Sequence, residues 1–141
     1  MGMRIIIAAA AGLLWSASLG WAQSLTADEK AVQTVIDSQI TAFRGGKHET
    51  AFGFAAPSLQ QIFGSTDRFI GMVKRGYGPI YGAKQWSFGR SRAQDDIILQ
   101  EVLLTGPKGG NWIALYTLRK QDDGSWRIAA VQMKQAASRS T

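Results

Sequence analysis

IILQEVLLTGPKGGNWIALYTLRKQDDGSWRIAAVQMK, residues 97–134, reads as three strands joined by two tight turns. Gly106-Pro107-Lys108-Gly109-Gly110 is rich in the residues that punctuate turns. Asp122-Asp123-Gly124 is a hairpin signal, because Asp and Gly tolerate positive φ. The spacing predicts strands over 97–105, 111–121 and 125–134. Connections this short force neighbouring strands to run antiparallel. On the second of these strands, Trp112, Ala114, Tyr116 and Leu118 share one face. On the third, Trp126, Ile128, Ala130 and Gln132 oppose Arg127, Ala129, Val131 and Met133. Both faces are partly apolar, so both are expected to be partly covered, by a curved sheet wrapped over a helix or by a second copy packed outside.

Ahead of these strands lies a fourth, predicted over 84–92 with Trp86 and Phe88 on one face. Before it the period changes from two to 3.6. Thr26-Ala27-Asp28-Glu29 is a capping box, and Val32, Ile36, Ile40 and Phe43 then recur as one apolar stripe. Gly45-Gly46 ends this long helix. A short helix is predicted over 48–55 and stops before Pro57. Residues 58–63 add a further turn. Ser65 or Thr66 caps another helix, carrying Phe69, Met72 and Val73, that Gly76 closes. Gly76, Gly78, Pro79 and Gly82 make the next stretch irregular. Helices followed by strands, rather than alternating with them, give an α+β domain: one long and two or three short N-terminal helices on a curved, four-stranded antiparallel sheet.

The first 22 residues carry a basic start, an apolar run of about 15 residues and small residues at Gly20 and Ala22, the order of a secretory signal peptide. The run is too short for a bilayer span. The expectation is an exported chain, periplasmic or secreted, starting near Gln23 and without stable membrane insertion after cleavage. Residues 23–134 then form one domain, and 135–141 a polar, flexible tail. The chain has 141 residues, no cysteine and a formal charge of +6. Disulfides, thiol nucleophiles and thiolate metal sites are therefore excluded. A positive charge suits weak attraction to anionic lipid heads, polysaccharide or acidic partners, or solubility alone; the basic residues are scattered, with Arg90 and Arg92 the nearest pair, which favours solubility. Nucleic acid is not expected as a partner of an exported chain.

The candidates for chemistry are few. His48 is the sole histidine and sits at a helix start beside Glu49, where adjacent side chains do not face one another. It reads as an exposed first-turn residue rather than a general base. One histidine and two turn-forming Asp pairs make no metal site, and no cofactor motif is present. Serines show no nucleophile elbow. Glu101 is different: it sits mid-strand among Ile97, Ile98, Leu99, Leu103 and Leu104. Such a carboxylate faces solvent, pairs with a cation such as Arg119 or Arg127, or lines a cavity with a shifted pKa, where it is the one weak catalytic candidate. Tyr77, Tyr81, Trp86, Trp112, Tyr116 and Trp126 are either core filling or the wall of an apolar ligand site.

Several segments together carry a resemblance. They include Gln39-Ile40-Thr41-Ala42-Phe43, Ala55-Ala56-Pro57, Ile62-Phe63-Gly64, Gly76-Tyr77, Gln100-Glu101-Val102, Trp112-x-Ala114-x-Tyr116 and Gly124-Ser125-Trp126-Arg127-Ile128. In this order they resemble an exported bacterial family catalogued as domain of unknown function 4864. More loosely, the helix-then-sheet order is similar to the cone-shaped fold of nuclear transport factor 2 and the SnoaL-like cyclases. The resemblance implies export and a cone; it carries over no catalytic residue. The expected function is non-catalytic binding of a small apolar or amphipathic ligand, or of a protein partner, through an aromatic-lined cone. An isomerase- or hydrolase-type enzyme using Glu101, with Tyr116 or Arg119 orienting substrate, and a structural homodimer are the alternatives.

Overall fold

A computed structural model describes residues 25–137. The predicted leader, residues 1–22, and the end of the predicted tail, residues 138–141, lie outside them. Helix α1 (Ala27–Arg44) is followed by α2 (His48–Gly53), α3 (Pro57–Phe63), α4 (Thr66–Gly76) and α5 (Gly78–Tyr81). Then come β1 (Gln85–Gln94), β2 (Ile97–Thr105), β3 (Asn111–Lys120) and β4 (Trp126–Gln135). The strands form an antiparallel meander in the order β1-β2-β3-β4. The fold is thus α+β, with the helices on one face of the sheet. Among the described residues no helix is long and apolar enough to cross a membrane.

Helix α1 organises the molecule. Its capping box is complete: Thr26 Oγ1 accepts from Glu29 N at 3.1 Å, and Thr26 N donates to Glu29 Oε1 at 3.2 Å. Val32, Ile36, Ile40 and Phe43 are buried, as the stripe requires. Burying one such side chain contributes about 1.5–3 kcal/mol. Polar side chains beside the stripe fasten the helix to the sheet. Trp126 Nε1 on β4 donates to Asp28 at 3.2 Å. Ser91 on β1 donates to Glu29. Gln33 Nε2 donates to Gln100 Oε1 on β2 at 3.3 Å, and Trp86 Nε1 on β1 donates to Asp37 at 2.9 Å. Gly46, at φ 69°, turns the chain out of the helix.

Two bulges shape the sheet. In β1 the register breaks between Phe88 and Ser91, so Gly89 and Arg90 together face Glu101. In β4 it breaks beside Ala129: Thr117 pairs with Ala130, but Leu118 pairs with Ile128. This second bulge corrects the predicted faces of β4. An extra residue rotates all that follows by one side-chain step. Trp126 and Ile128 point inward, but beyond the bulge Val131 and Met133 pack on the core, while Ala130 and Gln132 are exposed.

Smaller differences have local causes. The second helix stops at Gly53, because residues 54–56 pair with the free edge of β4: Ile128 N donates to Phe54 O at 2.9 Å and Ala56 N to Ile128 O at 2.8 Å. The stretch read as irregular holds the helical turn α5, which Pro79 opens by supplying a helical φ without needing a donor. Ala136 N donates to Asn111 O at 3.0 Å, so pairing continues into the predicted flexible tail. Leu103 on the outer sheet face is exposed.

Three carboxylates tie the fold to pH. Hydrogen bonds from Ser91 and then Thr26 lower the pKa of Glu29 from its usual 4.5. Arg90 does the same for Glu101, and Ser125 lowers Asp123 from 3.8. Because folding depresses each pKa, their stabilisation is fully present above the unfolded values and is lost as pH falls through the folded ones. The urea midpoint should therefore hold steady from pH 7 to 5.5 and fall below about pH 4.5. Glu29→Gln should flatten part of that fall. A midpoint independent of pH down to 3 would contradict this account.

Candidate functional site

The inner sheet face does not meet the helices everywhere. Between the C-terminal half of α1, the helices α3–α5 and the bulged edge of β4 lies a cavity of about 300 Å³. Its wall combines Phe43 from α1, Phe63 from α3, Phe69 and Met72 from α4, Tyr116 from β3 and Val131 from β4. Phe69 stands among other rings, with centroids 6.2 Å from Phe43, 5.1 Å from Phe52 and 5.6 Å from Phe63. Helix α3 buries no residue and offers its Leu59 and Phe63 side to the opening. On the other side Ala129 and Ala130, small residues at the bulge, line the wall.

Two tyrosines, Tyr77 and Tyr116, are among the residues around this apolar space. Tyr77 Oη donates to Val131 O at 3.1 Å and so latches the segment between α4 and α5 to β4. Tyr116 is fully buried, and its hydroxyl has no hydrogen-bond partner among the described residues. Burial pushes its pKa up, so the phenol is neutral throughout the physiological range. Gln39, also on the wall, donates through Nε2 to Ala51 O at 3.0 Å. Its carbonyl oxygen receives no donor among the described residues.

Of the six aromatics singled out in the sequence, the structure brings Tyr77 and Tyr116 to this cavity and sends four elsewhere. Tyr81 Oη lies 2.8 Å from His48 Nε2, with Lys74 Nζ 5.3 Å from its ring centre. Trp86 binds Asp37, and the Arg44 guanidinium lies 5.5 Å from its ring centre. Trp112 covers the glycine turn, where a Cβ on Gly110 would come within 3.4 Å of its Nε1. Trp126 is held by Asp28 at the far end of α1. An indole N–H that is withdrawn from water needs an acceptor, and for Trp86 and Trp126 the nearest are carboxylates on α1. The helical contributors Phe43, Phe69 and Met72 were legible only as apolar positions of their helices, and Phe63 only as part of a further turn.

Glu101 does not enter the cavity; it lies on the outer face of the sheet. Arg90 donates to it through N at 3.0 Å, Nε at 3.1 Å and Nη2 at 3.3 Å. The cation is Arg90 on β1, not Arg119 or Arg127; the Arg127 guanidinium binds Gly53 O. Gln100, wholly buried, donates through Nε2 to Gly89 O at 3.2 Å and Arg90 O at 3.4 Å. The two polar residues in an apolar strand thus satisfy the backbone that the β1 bulge leaves unpaired. The catalytic reading required Glu101 to face a cavity, and this geometry removes it. Among the described residues no three His, Asp or Glu side chains gather as a metal site would require.

Over residues 25–141 the chain matches the model of a domain of unknown function, DUF4864, and it belongs to that family. Among solved structures it is similar to an NTF-2-like protein of unknown function from Silicibacter pomeroyi DSS-3. The two share 19% identity and a TM-score of 0.56, over 79% of this chain and 100% of the other. The likeness establishes an NTF-2-like α+β fold and, at that identity, nothing about activity. No curated protein matches the chain.

An enclosed hydroxyl without a partner costs about 1–3 kcal/mol relative to one that is hydrogen-bonded. Tyr116→Phe should therefore leave the free protein as stable as the parent or about 1 kcal/mol more stable, read by urea denaturation. A clear loss of stability would show that the hydroxyl has a partner in the free protein.

Proposed function

We propose that this member of the DUF4864 family is an exported, non-catalytic domain that binds a small apolar or amphipathic ligand in the cavity between α1, α4 and β4. The observation that carries the proposal is the apolar space left between the helices and the inner face of the sheet. Its volume of about 300 Å³ lies at the lower end of the range for small-molecule sites, roughly 300–1,000 Å³. An apolar wall with a few polar atoms is the usual make-up of such a site. The absence of catalysis is supported by the wall itself, whose titratable side chains among the described residues are Tyr77 and Tyr116. Neither is placed against a base, and the one carboxylate candidate, Glu101, is engaged on the opposite face of the sheet.

A neutral dye such as aminoanthracene should bind with enhanced fluorescence and be displaced by small apolar competitors. Val73→Phe adds volume to the wall from α4 and should abolish that binding while the circular dichroism spectrum stays unchanged. Leu59→Trp at the opening provides a second, less intrusive block. Dye binding that survives both variants, or none in the parent protein, would end this reading.

Export is supported by the order of charge, apolar run and small residues in positions 1–22, and by a family match that starts only at residue 25. Expressed with its leader in a Gram-negative host, the chain should appear in the periplasmic fraction. N-terminal sequencing should begin near Gln23. Recovery of uncleaved chain in the cytosol would refute export.

A further inference from the structure

Helix α3 lies beside the opening of the cavity as a strap held at its two ends. Before it, residues 54–56 pair with Ile128 of β4. After it, Gly64 takes φ 78°, and Ser65 caps α4 by accepting from Arg68 N at 3.3 Å. Among the described residues, the side-chain hydrogen bonds of α3 are two, both from Gln60 Nε2: to Phe52 O at 3.2 Å and to Ala55 O at 2.9 Å. Phe63 meets the Phe69 ring of α4 edge-on. No residue of α3 is buried. Its apolar face is also incompletely used. At about 100° per residue, Leu59, Ile62 and Phe63 fall within about 100° of the helix circumference. Leu59 and Phe63 line the cavity, but Ile62 is 73% exposed, more than any other large apolar side chain among the described residues. A scattered exposed aliphatic residue is ordinary on a protein surface. This one continues a stripe whose other two members already face an apolar space.

We propose that α3 is a lid that rolls inward over a bound apolar ligand, and that Ile62 then becomes part of the wall. This rests on the cavity being a ligand site and adds how that site closes. A roll of about 60° carries Ile62 to the place Leu59 holds in the free protein. Both acceptors of Gln60 belong to the segment just before α3, so the roll pivots at that end and neither tether has to break. Over an empty cavity the motion gains nothing, because Ile62 would face a void and find no atoms to touch. A ligand supplies those atoms. It therefore binds the closed arrangement better than the open one and shifts the population toward it.

The chain has no cysteine, so a single introduced thiol is a specific probe of the lid. The ligand used is butylbenzene, and its binding to the full chain is read from the methyl resonance of Met72, which lies on the wall. In Ile62→Cys, saturating butylbenzene should slow alkylation by iodoacetamide about fivefold or more. The thiol of Leu103→Cys, exposed on the outer face of the sheet, should react at the same rate with and without it. Ile62→Ser should weaken butylbenzene by about fivefold and leave the urea midpoint of the free protein unchanged, because the side chain is mostly in water until the lid closes. Leu103→Ser should not alter binding. Alkylation of Ile62→Cys at a rate indifferent to the ligand would overturn the lid and leave the binding site standing. So would Ile62→Ser binding butylbenzene as tightly as the parent, or no more weakly than Leu103→Ser. If neither butylbenzene nor the neutral dye moves the Met72 signal in the parent, the cavity is not a ligand site, and the lid falls with it.

Discussion

The seating of α1 on the inner face of the sheet is the constraint on which the other features depend. Its stripe of Val32, Ile36, Ile40 and Phe43 is wholly withdrawn from water. No apolar contact alone would fix how the helix slides or rolls along the sheet, because burial is non-directional. Direction comes from the polar neighbours of the stripe. Asp28, Glu29, Gln33 and Asp37 each hold a partner on β4, β1, β2 and β1 respectively. Hydrogen bonds have a preferred geometry, so four of them spaced along the helix set its register.

Once α1 is fixed, the bulges decide where the sheet and helices touch. The β1 bulge faces Gln100 and Glu101, which cover its unpaired backbone from inside and outside. The β4 bulge does the opposite: it opens space. It turns Val131 inward and leaves small Ala129 and Ala130 at the wall, while the neighbouring edge is closed by residues 54–56 and by the Tyr77 latch. Where residues 54–56 pair with Ile128, the edge of β4 is covered and cannot pair with another chain.

The cavity and the charge of the molecule are kept apart by the same arrangement. Arg44 and Lys74 on the helices lie over aromatic rings, and Arg127 on β4 lies on a carbonyl oxygen, outside the apolar space. The net positive charge acts on the surroundings through the surface, while the interior sees only neutral dipoles.

Much of the fold was legible in local sequence. The capping box, the α1 stripe, the extent of β2 and the hairpin at Asp122-Asp123-Gly124 are local signals, because each depends on residues within a turn or two of one another. The order of helices before strands likewise implied the α+β class. What the sequence could not carry is everything that depends on a partner across the fold. The bulges are properties of strand pairs, so the face of Val131 was invisible in β4 alone. Trp126 meets an acceptor 98 residues away and Trp86 one 49 residues away, so neither could be told from a pocket aromatic by its neighbours. Glu101 looked exceptional within its strand because the unpaired backbone that it serves belongs to another one. Sequence by itself determined the elements, their order and the absence of thiol chemistry. Tertiary structure alone decided where packing stops short of closure, because a cavity is formed by the mismatch of surfaces that are distant in the chain.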